Sequence, residues 1–264
     1  MIVAGCDVGS LTAEAVIMED DKILAYEIIR VRPRPEQSAS DVMNKTLEKA
    51  GLRMEDIEYC VSTGYGRDRI PFAQKNVSEI SCHGKGAHWL IPSIRTVIDV
   101  GGQDCKVICL DDRGRVQDFV MNEKCAAGTG RFLEIMARTL GLTIEELGPV
   151  SLKAENPVSI TSQCSVFTEF EAMVLINEGK RIEDIAAGIN QAMARRVYAL
   201  VNRVQVKKDL GITGGVAKNV AVVKNLEEII GIKSVKFPQD PQIMGALGAA
   251  LFAKEMRLKQ QRRM

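Results

Sequence analysis

Thr96-Val97-Ile98-Asp99-Val100-Gly101-Gly102-Gln103-Asp104 is an apolar run that ends on a carboxylate and two glycines. The chain opens on the same design, Ile2-Val3-Ala4-Gly5-Cys6-Asp7-Val8-Gly9-Ser10. Each apolar run reads as a buried strand and each glycine as a tight turn after it. Laying Asp7 on Asp99 also lays Val8 on Val100, Gly9 on Gly101, Val16 on Ile108, Met18 on Leu110 and Asp20 on Asp112, with no gap. Self-similarity over this length is an internal repeat. Outward from the first turn run a strand over 13–18, the polar turn Glu19-Asp20-Asp21-Lys22 and a strand over 23–31. Strands over 106–110 and 115–120, joined by Asp111-Asp112-Arg113-Gly114, repeat that meander. The pattern predicts an α/β protein of two related lobes, each opened by a meander that carries one Asp-Val-Gly turn.

Helical spacing covers 42–50, 131–140 and 182–204, the last with Ile185, Ile189, Met193, Val197 and Val201 at every fourth position. Arg32-Pro33-Arg34-Pro35 reads as a loop, with Ser38 to Ser40 as cap candidates for the first helix. A short strand over 210–213 runs into Gly214-Gly215, a helix follows over 219–230, and the basic tail 254–264 reads as a helix end.

The 264 residues carry 35 Lys and Arg against 34 Asp and Glu, a net charge of +1. No broad field favours a nucleic-acid or membrane-surface partner. No apolar run reaches the roughly 18 residues of a membrane span, and no basic region precedes the apolar start, so the expectation is a cytoplasmic protein. Seven cysteines at low density in a reducing compartment do not form a disulfide scaffold. Any special cysteine is then a metal ligand or a reactive thiol.

A nucleotide clamp built from two strand turns needs glycine where backbone meets phosphate and a nearby carboxylate for hydrated magnesium. Both Asp-Val-Gly turns meet that need. With Thr213-Gly214-Gly215-Val216-Ala217 downstream, the chain resembles the actin, sugar kinase and Hsp70 ATPase superfamily. Residues 7–12 resemble its first phosphate motif and 99–104 its second, while Gly214 and Gly215, with Val216 and Ala217, resemble the adenosine motif. Gly245-Ala246-Leu247-Gly248-Ala249-Ala250 resembles the connecting helix at the lobe hinge. The resemblance implies a two-lobed actin-like, ribonuclease H-like ATPase fold: lobe I over 1–95, completed by about 241–264, and lobe II over 96–240. It implies ATP or ADP between the lobes, with Asp7 and Asp99 organising Mg2+ and Gly9, Ser10, Gly101 and Gly102 cradling phosphate. Asp104 belongs to the same nucleotide site, and Gln103 is assigned to orient the attacking water. Leu11 stands where many members have Thr or Ser, so that hydroxyl role falls to Ser10 or Thr12.

The cysteines separate subfamilies. No Cys-X-X-Cys occurs; Cys105 and Cys109 on one strand would lie about 13 Å apart, too far to share an iron-sulfur cube. They read as core residues, as do Cys6 and Cys60 in apolar strands. Cys82, His83 and His88 lack the further partners that a complete metal site needs. Cys125 and Cys164 stand apart, in Asn122-Glu123-Lys124-Cys125-Ala126-Ala127-Gly128-Thr129-Gly130-Arg131-Phe132 and in Thr161-Ser162-Gln163-Cys164-Ser165-Val166-Phe167. Both segments resemble the cluster segments of the ATP-dependent activators of 2-hydroxyacyl-CoA dehydratases. Reductases of double-cubane-cluster proteins and the ATPase subunits of benzoyl-CoA reductases are similar. Ser62-Thr63-Gly64-Tyr65-Gly66-Arg67, Ser78-Glu79-Ile80-Ser81-Cys82-His83 and the stretch 185–194 share the resemblance, and Phe170 departs from it.

The resemblance implies one 4Fe-4S cluster per C2 homodimer, with Cys125 and Cys164 of each copy as ligands. It further implies ferredoxin or flavodoxin as electron donor, and an iron-sulfur dehydratase or reductase as the partner that receives the electron. The helix start at 128–130 is expected beside the cysteines, its N–H groups facing an anionic cluster. Two other readings stay open on the residues: a small-molecule kinase of the same fold with Asp104 as catalytic carboxylate, and a nucleotide-sensing regulator without redox chemistry.

Overall fold

The computed structural model describes residues 1–122 and 125–262. Glu123 and Lys124 of the Cys125 segment, and Arg263 and Met264 of the basic tail, lie outside the described residues. The first meander is β1 (Ile2–Val8), β2 (Thr12–Glu19) and β3 (Lys22–Arg30); β4 (Tyr59–Thr63) and β5 (Lys75–Asn76) extend it into a sheet of order β3-β2-β1-β4-β5. The second is β6 (Thr96–Val100), β7 (Cys105–Leu110) and β8 (Val116–Asn122), which with β9 (Leu210–Thr213) makes the order β8-β7-β6-β9.

The repeat holds at the level of register. Asp7 faces Glu14 across the antiparallel pair and Thr63 across the parallel one, and Asp99 likewise faces Lys106 and Thr213. The offset that aligns the two aspartates thus also aligns Glu14 with Lys106. Each threonine precedes a glycine of positive φ, 84° at Gly64 and 83° at Gly214, a conformation that Cβ-bearing residues enter at a cost. A Cβ on Gly64 would fall 2.2 Å from Asp7 Oδ1, and on Gly214 2.4 Å from the Val100 carbonyl oxygen. Both turns therefore bring bare backbone up against an aspartate strand.

Around the sheets pack α1 (Pro35–Ala50), α2 (Glu79–Leu90), α3 (Gly130–Thr139), α4 (Ile144–Ser151), α5 (Ser165–Asn177), α6 (Ile182–Val201), α7 (Val220–Ile230) and α8 (Met244–Gln261). Helix α1 starts seven residues before the reading from periodicity, at Pro35. Proline suits a first helical position, where its fixed φ is already right and no N–H is missed. Ser38, expected as a cap, is buried inside the helix and its Oγ accepts the Arg32 N–H at 2.8 Å. Helix α6 ends at Val201, short of 204, and its every-fourth stripe is the middle of the second core: Ile185, Ile189, Met193, Val197 and Val201 are at most 1% exposed. Each such side chain contributes roughly 1.5–3 kcal/mol by burial.

Helix α8 crosses back to the first sheet, with Ala246, Ala249 and Ala250 fully buried in one cluster with Val3, Val16 and Val61. Small residues let its backbone approach β1 and α2 closely, which fixes α2 above the ends of β1 and β6. Among the described residues no helix is long and apolar enough to cross a membrane.

Candidate functional site

A cavity of about 690 Å³ lies where the two aspartate strands end, within the ordinary size range of small-ligand sites. Asp7, Gly9, Ser10, Thr12, Asp99, Gly101, Gly102, Asp104, Gly214, Gly215 and Val216 all line it. Two assigned residues do not. Gln103 is exposed at the apex of its turn, and Ala217 packs half-buried against the second core.

The two turns have the same closure: Gly9 N–H donates to the Thr12 carbonyl at 2.9 Å, and Gly101 N–H to the Asp104 carbonyl at 3.0 Å. They also touch. The space beside the Gly102 Cα is filled by the Leu11 side chain and by Ser10 Oγ. Leu11 is therefore turned to the opposite turn, and Thr12 Oγ1 accepts from Gln242 Nε2 at 3.0 Å, which leaves the Ser10 hydroxyl between the turns.

Sequence reasoning missed the groups that surround the aspartates. His83, carried on α2 and 6% exposed, places Nδ1 3.2 Å from Asp99 Oδ1 and 3.1 Å from Thr213 Oγ1, with Nε2 3.9 Å from Asp7 Oδ2. Lys106, 2% exposed, places Nζ 2.7 Å from Asp104 Oδ2 and 3.5 Å from Asp99 Oδ2. Glu14 Oε1 accepts from Gln242 Nε2 at 3.0 Å. The repeat alignment was a usable signal for Glu14 and Lys106, because strand register carries them with the aspartates. For His83 the only signal was its place in the Ser78–His83 match.

These neighbours push the carboxyls apart. Burial raises Asp7 to about 6, the Asp99 charge adding to it and His83 offsetting it. Burial pushes Asp99 up too, but His83 and Lys106 outweigh it and leave this carboxyl below its ordinary value. Burial keeps Asp104 raised despite Lys106, and it raises Glu14 well above its ordinary value with Asp7 adding to the effect. Burial disfavours the Lys106 cation, yet Asp99 and Asp104 prevail and hold it charged. Among the described residues no group of three or more His, Cys, Asp or Glu forms a metal cage. The carboxylates of Asp7 and Asp99 are the kind of donor that Mg2+ takes, one or two at a time, together with water and phosphate oxygens.

Of the seven cysteines only Cys125 and Cys164 are exposed. Burial pushes the Cys60 and Cys82 thiols up to about 12 and raises Cys6, Cys105 and Cys109 as well, so these five are poor thiolates. Cys82 sits on α2 against α8, and the His88 ring packs on Gly114. Cys125 lines a second cavity of about 460 Å³ with Asn122, Ser162, Arg195 and Arg196, and Cys164 is the N-cap residue of α5. Both exposed thiols have the chemistry of iron-sulfur ligands, two of the four thiolates that a cube takes.

The helix expected to point at the cysteines does something else with its first amides. Gly130 N–H donates to the Gly101 carbonyl at 2.8 Å and Arg131 N–H to the Gly102 carbonyl at 2.9 Å. The unpaired donors of a helix start take the nearest acceptors, and here those belong to the second phosphate turn. The helix that starts at a cysteine is α5.

Two equivalent strand turns closing on glycine, a carboxylate at the end of each strand and a shared cleft define a two-lobed actin-like nucleotide-binding fold. The family model for the BadF/BadG/BcrA/BcrD ATPases matches residues 4–253, and the chain belongs to that family; it is an ATPase. The chain is 44% identical over 254 residues to the 2-hydroxyisocaproyl-CoA dehydratase activator of Clostridioides difficile, covering 96% of this chain and 95% of that one. The solved structure of the activator of the 2-hydroxyisocaproyl-CoA dehydratase from Clostridium difficile with bound ADPNP superposes with a TM-score of 0.96 at 43% identity. That match covers 100% of this chain and 98% of that chain. A ROK family glucokinase from Streptomyces griseus, 13% identical with a TM-score of 0.56 over 97% of this chain and 100% of that one, is alike in fold alone.

Proposed function

We propose that this ATPase is a dehydratase activator. Two copies form a C2 dimer, take one electron from reduced ferredoxin or flavodoxin, and deliver it to a 2-hydroxyacyl-CoA dehydratase or a related double-cubane-cluster enzyme. Lobe I comprises 1–95 with the C-terminal helix, and lobe II 96–240. Asp7 and Asp99 hold Mg2+ largely through water. Gly9, Ser10, Gly101 and Gly102 present backbone N–H and hydroxyl groups to phosphate, and Gly214 and Gly215 face the adenosine. Lys106 opposes the effect of burial on Asp99 and Asp104, and His83 holds the Asp99 carboxylate across from Asp7. Gln103, exposed on its turn, would need that turn to fold inward before it met an attacking water. Cys125 and Cys164 of each copy would hold a 4Fe-4S cluster, which supplies the one-electron step that no side chain in the cleft offers.

The observation that carries this reading is the pair of hydrogen bonds from Gly130 and Arg131 to Gly101 and Gly102. A shift of the phosphate turn moves the start of α3 and the Cys125 turn before it, so nucleotide state has a short mechanical path to the cysteines. The experiment is anaerobic purification with iron, sulfide and sedimentation analysis, then electron transfer from reduced ferredoxin to a 2-hydroxyacyl-CoA dehydratase with and without MgATP. The reading expects a brown dimer with one cluster per two chains and transfer only with ATP. Cys125→Ser or Cys164→Ser should empty it of iron, whereas Cys105→Ser and Cys109→Ser should retain it. A colourless monomer that hydrolyses ATP, or full iron in Cys125→Ser, overturns it.

A further inference from the structure

Arg196, near the end of α6, joins three segments that the chain keeps far apart. Its guanidinium carbon stands 4.5 Å from the centroid of Phe132, a fully buried ring in the first turn of α3. Its Nη2 donates to the Ser162 carbonyl at 2.6 Å and lies 3.4 Å from Thr168 Oγ1. Thr168 Oγ1 in turn lies 3.0 Å from the Cys164 carbonyl oxygen and 3.2 Å from that of Ser162. The side chain also lines the cavity that holds Cys125. Its Nη1 is buried and, among the described residues, has no hydrogen-bond partner. Burial and neighbouring Arg195 work against its cation, whereas an anionic group at Cys125 and Cys164 would favour it.

We propose that Arg196 is a positioning residue that locks the Cys125 turn, the start of α3 and the Cys164 turn into one unit, and that its uncommitted Nη1–H serves the anionic iron-sulfur group those cysteines hold. This rests on the cluster reading above. The chemistry suits arginine and not lysine: a planar cation stacks on an aromatic face while its fork bonds in two directions. A buried N–H without a partner is rare in native proteins and calls for a ligand. Partners around a metal centre fix its ligands and tune its potential. Neighbouring Arg195 lines the same cavity but is exposed, so it separates mere charge from placement.

The test compares Arg196→Gln, Arg196→Lys and Arg195→Gln with wild type as anaerobically loaded dimers. Under an iron chelator, Arg196→Gln should lose iron about tenfold faster, in the range usual for partners of metal ligands. Its cluster potential should fall, because one positive charge near the reduced cluster is gone. Arg196→Lys should keep most of the potential and still lose iron faster, and Arg195→Gln should change little. In metal-free protein, hydrogen exchange at the amides of 130–132 and 162–168 should quicken together in Arg196→Gln. Phe132→Leu, which removes the stacking partner and keeps an apolar core, repeats the exchange test should Arg196→Gln fail to fold. Wild-type iron release and potential in both Arg196 variants would overturn the proposal. A wild-type chain that binds no cluster overturns the cluster reading instead, and the exchange experiment then judges the mechanical tie alone.

Discussion

The amide of Gly130, the first residue of α3, donates to the carbonyl oxygen of Gly101 at 2.8 Å, so the helix that follows the Cys125 turn is attached to the second phosphate turn. Occupying the turn with nucleotide should stiffen this attachment. Exchange of the Gly130 and Arg131 amides should slow on adding Mg2+ and a nonhydrolysable ATP analogue, and the Cys125 thiol should change its rate of alkylation in metal-free protein. Unchanged exchange and alkylation would leave the cleft and the cysteine surface mechanically separate.

Asp7 ionises at about 6 in the folded protein against an ordinary 3.8. The folded state therefore holds this proton more tightly than the unfolded chain does. The resulting stabilisation is fully present below pH 3.8 and is lost as pH rises through about 6. At neutral pH without nucleotide the charged Asp7 costs up to about 3 kcal/mol. Asp7→Asn should raise the melting temperature at pH 8 in a chelator, the gain should vanish near pH 4, and ATP turnover should fall about tenfold or more because the Mg2+ charge partner is gone. A variant no more stable than wild type at pH 8 would show that the buried charge is relieved in some other way.

His83 lowers Asp7 and Asp99 alike. In His83→Ala the titration of Asp7 should move further up, so the pH below which Mg-nucleotide binding is lost should rise. Loss of the contacts to Asp99 and Thr213 should cost about 1–3 kcal/mol of stability. His83→Gln, which keeps a donor, should recover part of the stability and none of the charge effect. Titration calorimetry over a pH range that brackets the Asp7 titration at about 6 reads the first effect, and urea unfolding the second. A binding profile unmoved in both variants would take His83 out of the cleft's electrostatics.

Gly214 and Gly51 both have positive φ, 83° and 67°, but a Cβ on Gly51 meets nothing within 4 Å while one on Gly214 meets Val100 and Asp99. Gly51→Ala should cost only the backbone term, about 1–2 kcal/mol. Gly214→Ala should cost more and also weaken nucleotide binding, since it presses on the strand end that carries Asp99. Equal losses in stability would mean that the clash relaxes without reaching the aspartate.

The sequence by itself determined the doubled meander, the two Asp-Val-Gly turns and the two cysteines that stand out from the other five. Strand register explains why. Once β1 and β6 carry equivalent patterns, every residue paired to them follows at a fixed offset, and turn glycines are fixed by local backbone geometry. Tertiary structure alone decided which groups from outside the paired strands reach those turns. His83 reaches Asp7 and Asp99 because small residues of α8 let α2 settle over both strand ends, and no periodicity within α2 encodes that. Gln103 follows directly after the turn glycines in sequence, yet its side chain is exposed. Helix α5 escapes a reading by amphipathic spacing because its apolar residues Val166, Phe167, Phe170 and Met173 face solvent, where burial gives no stripe to find. The first amides of α3 bond to the phosphate turn, and not toward the cysteines, because helix-start donors bond to whichever acceptors the packed chain brings nearest, a matter of distance in space that position along the chain does not specify.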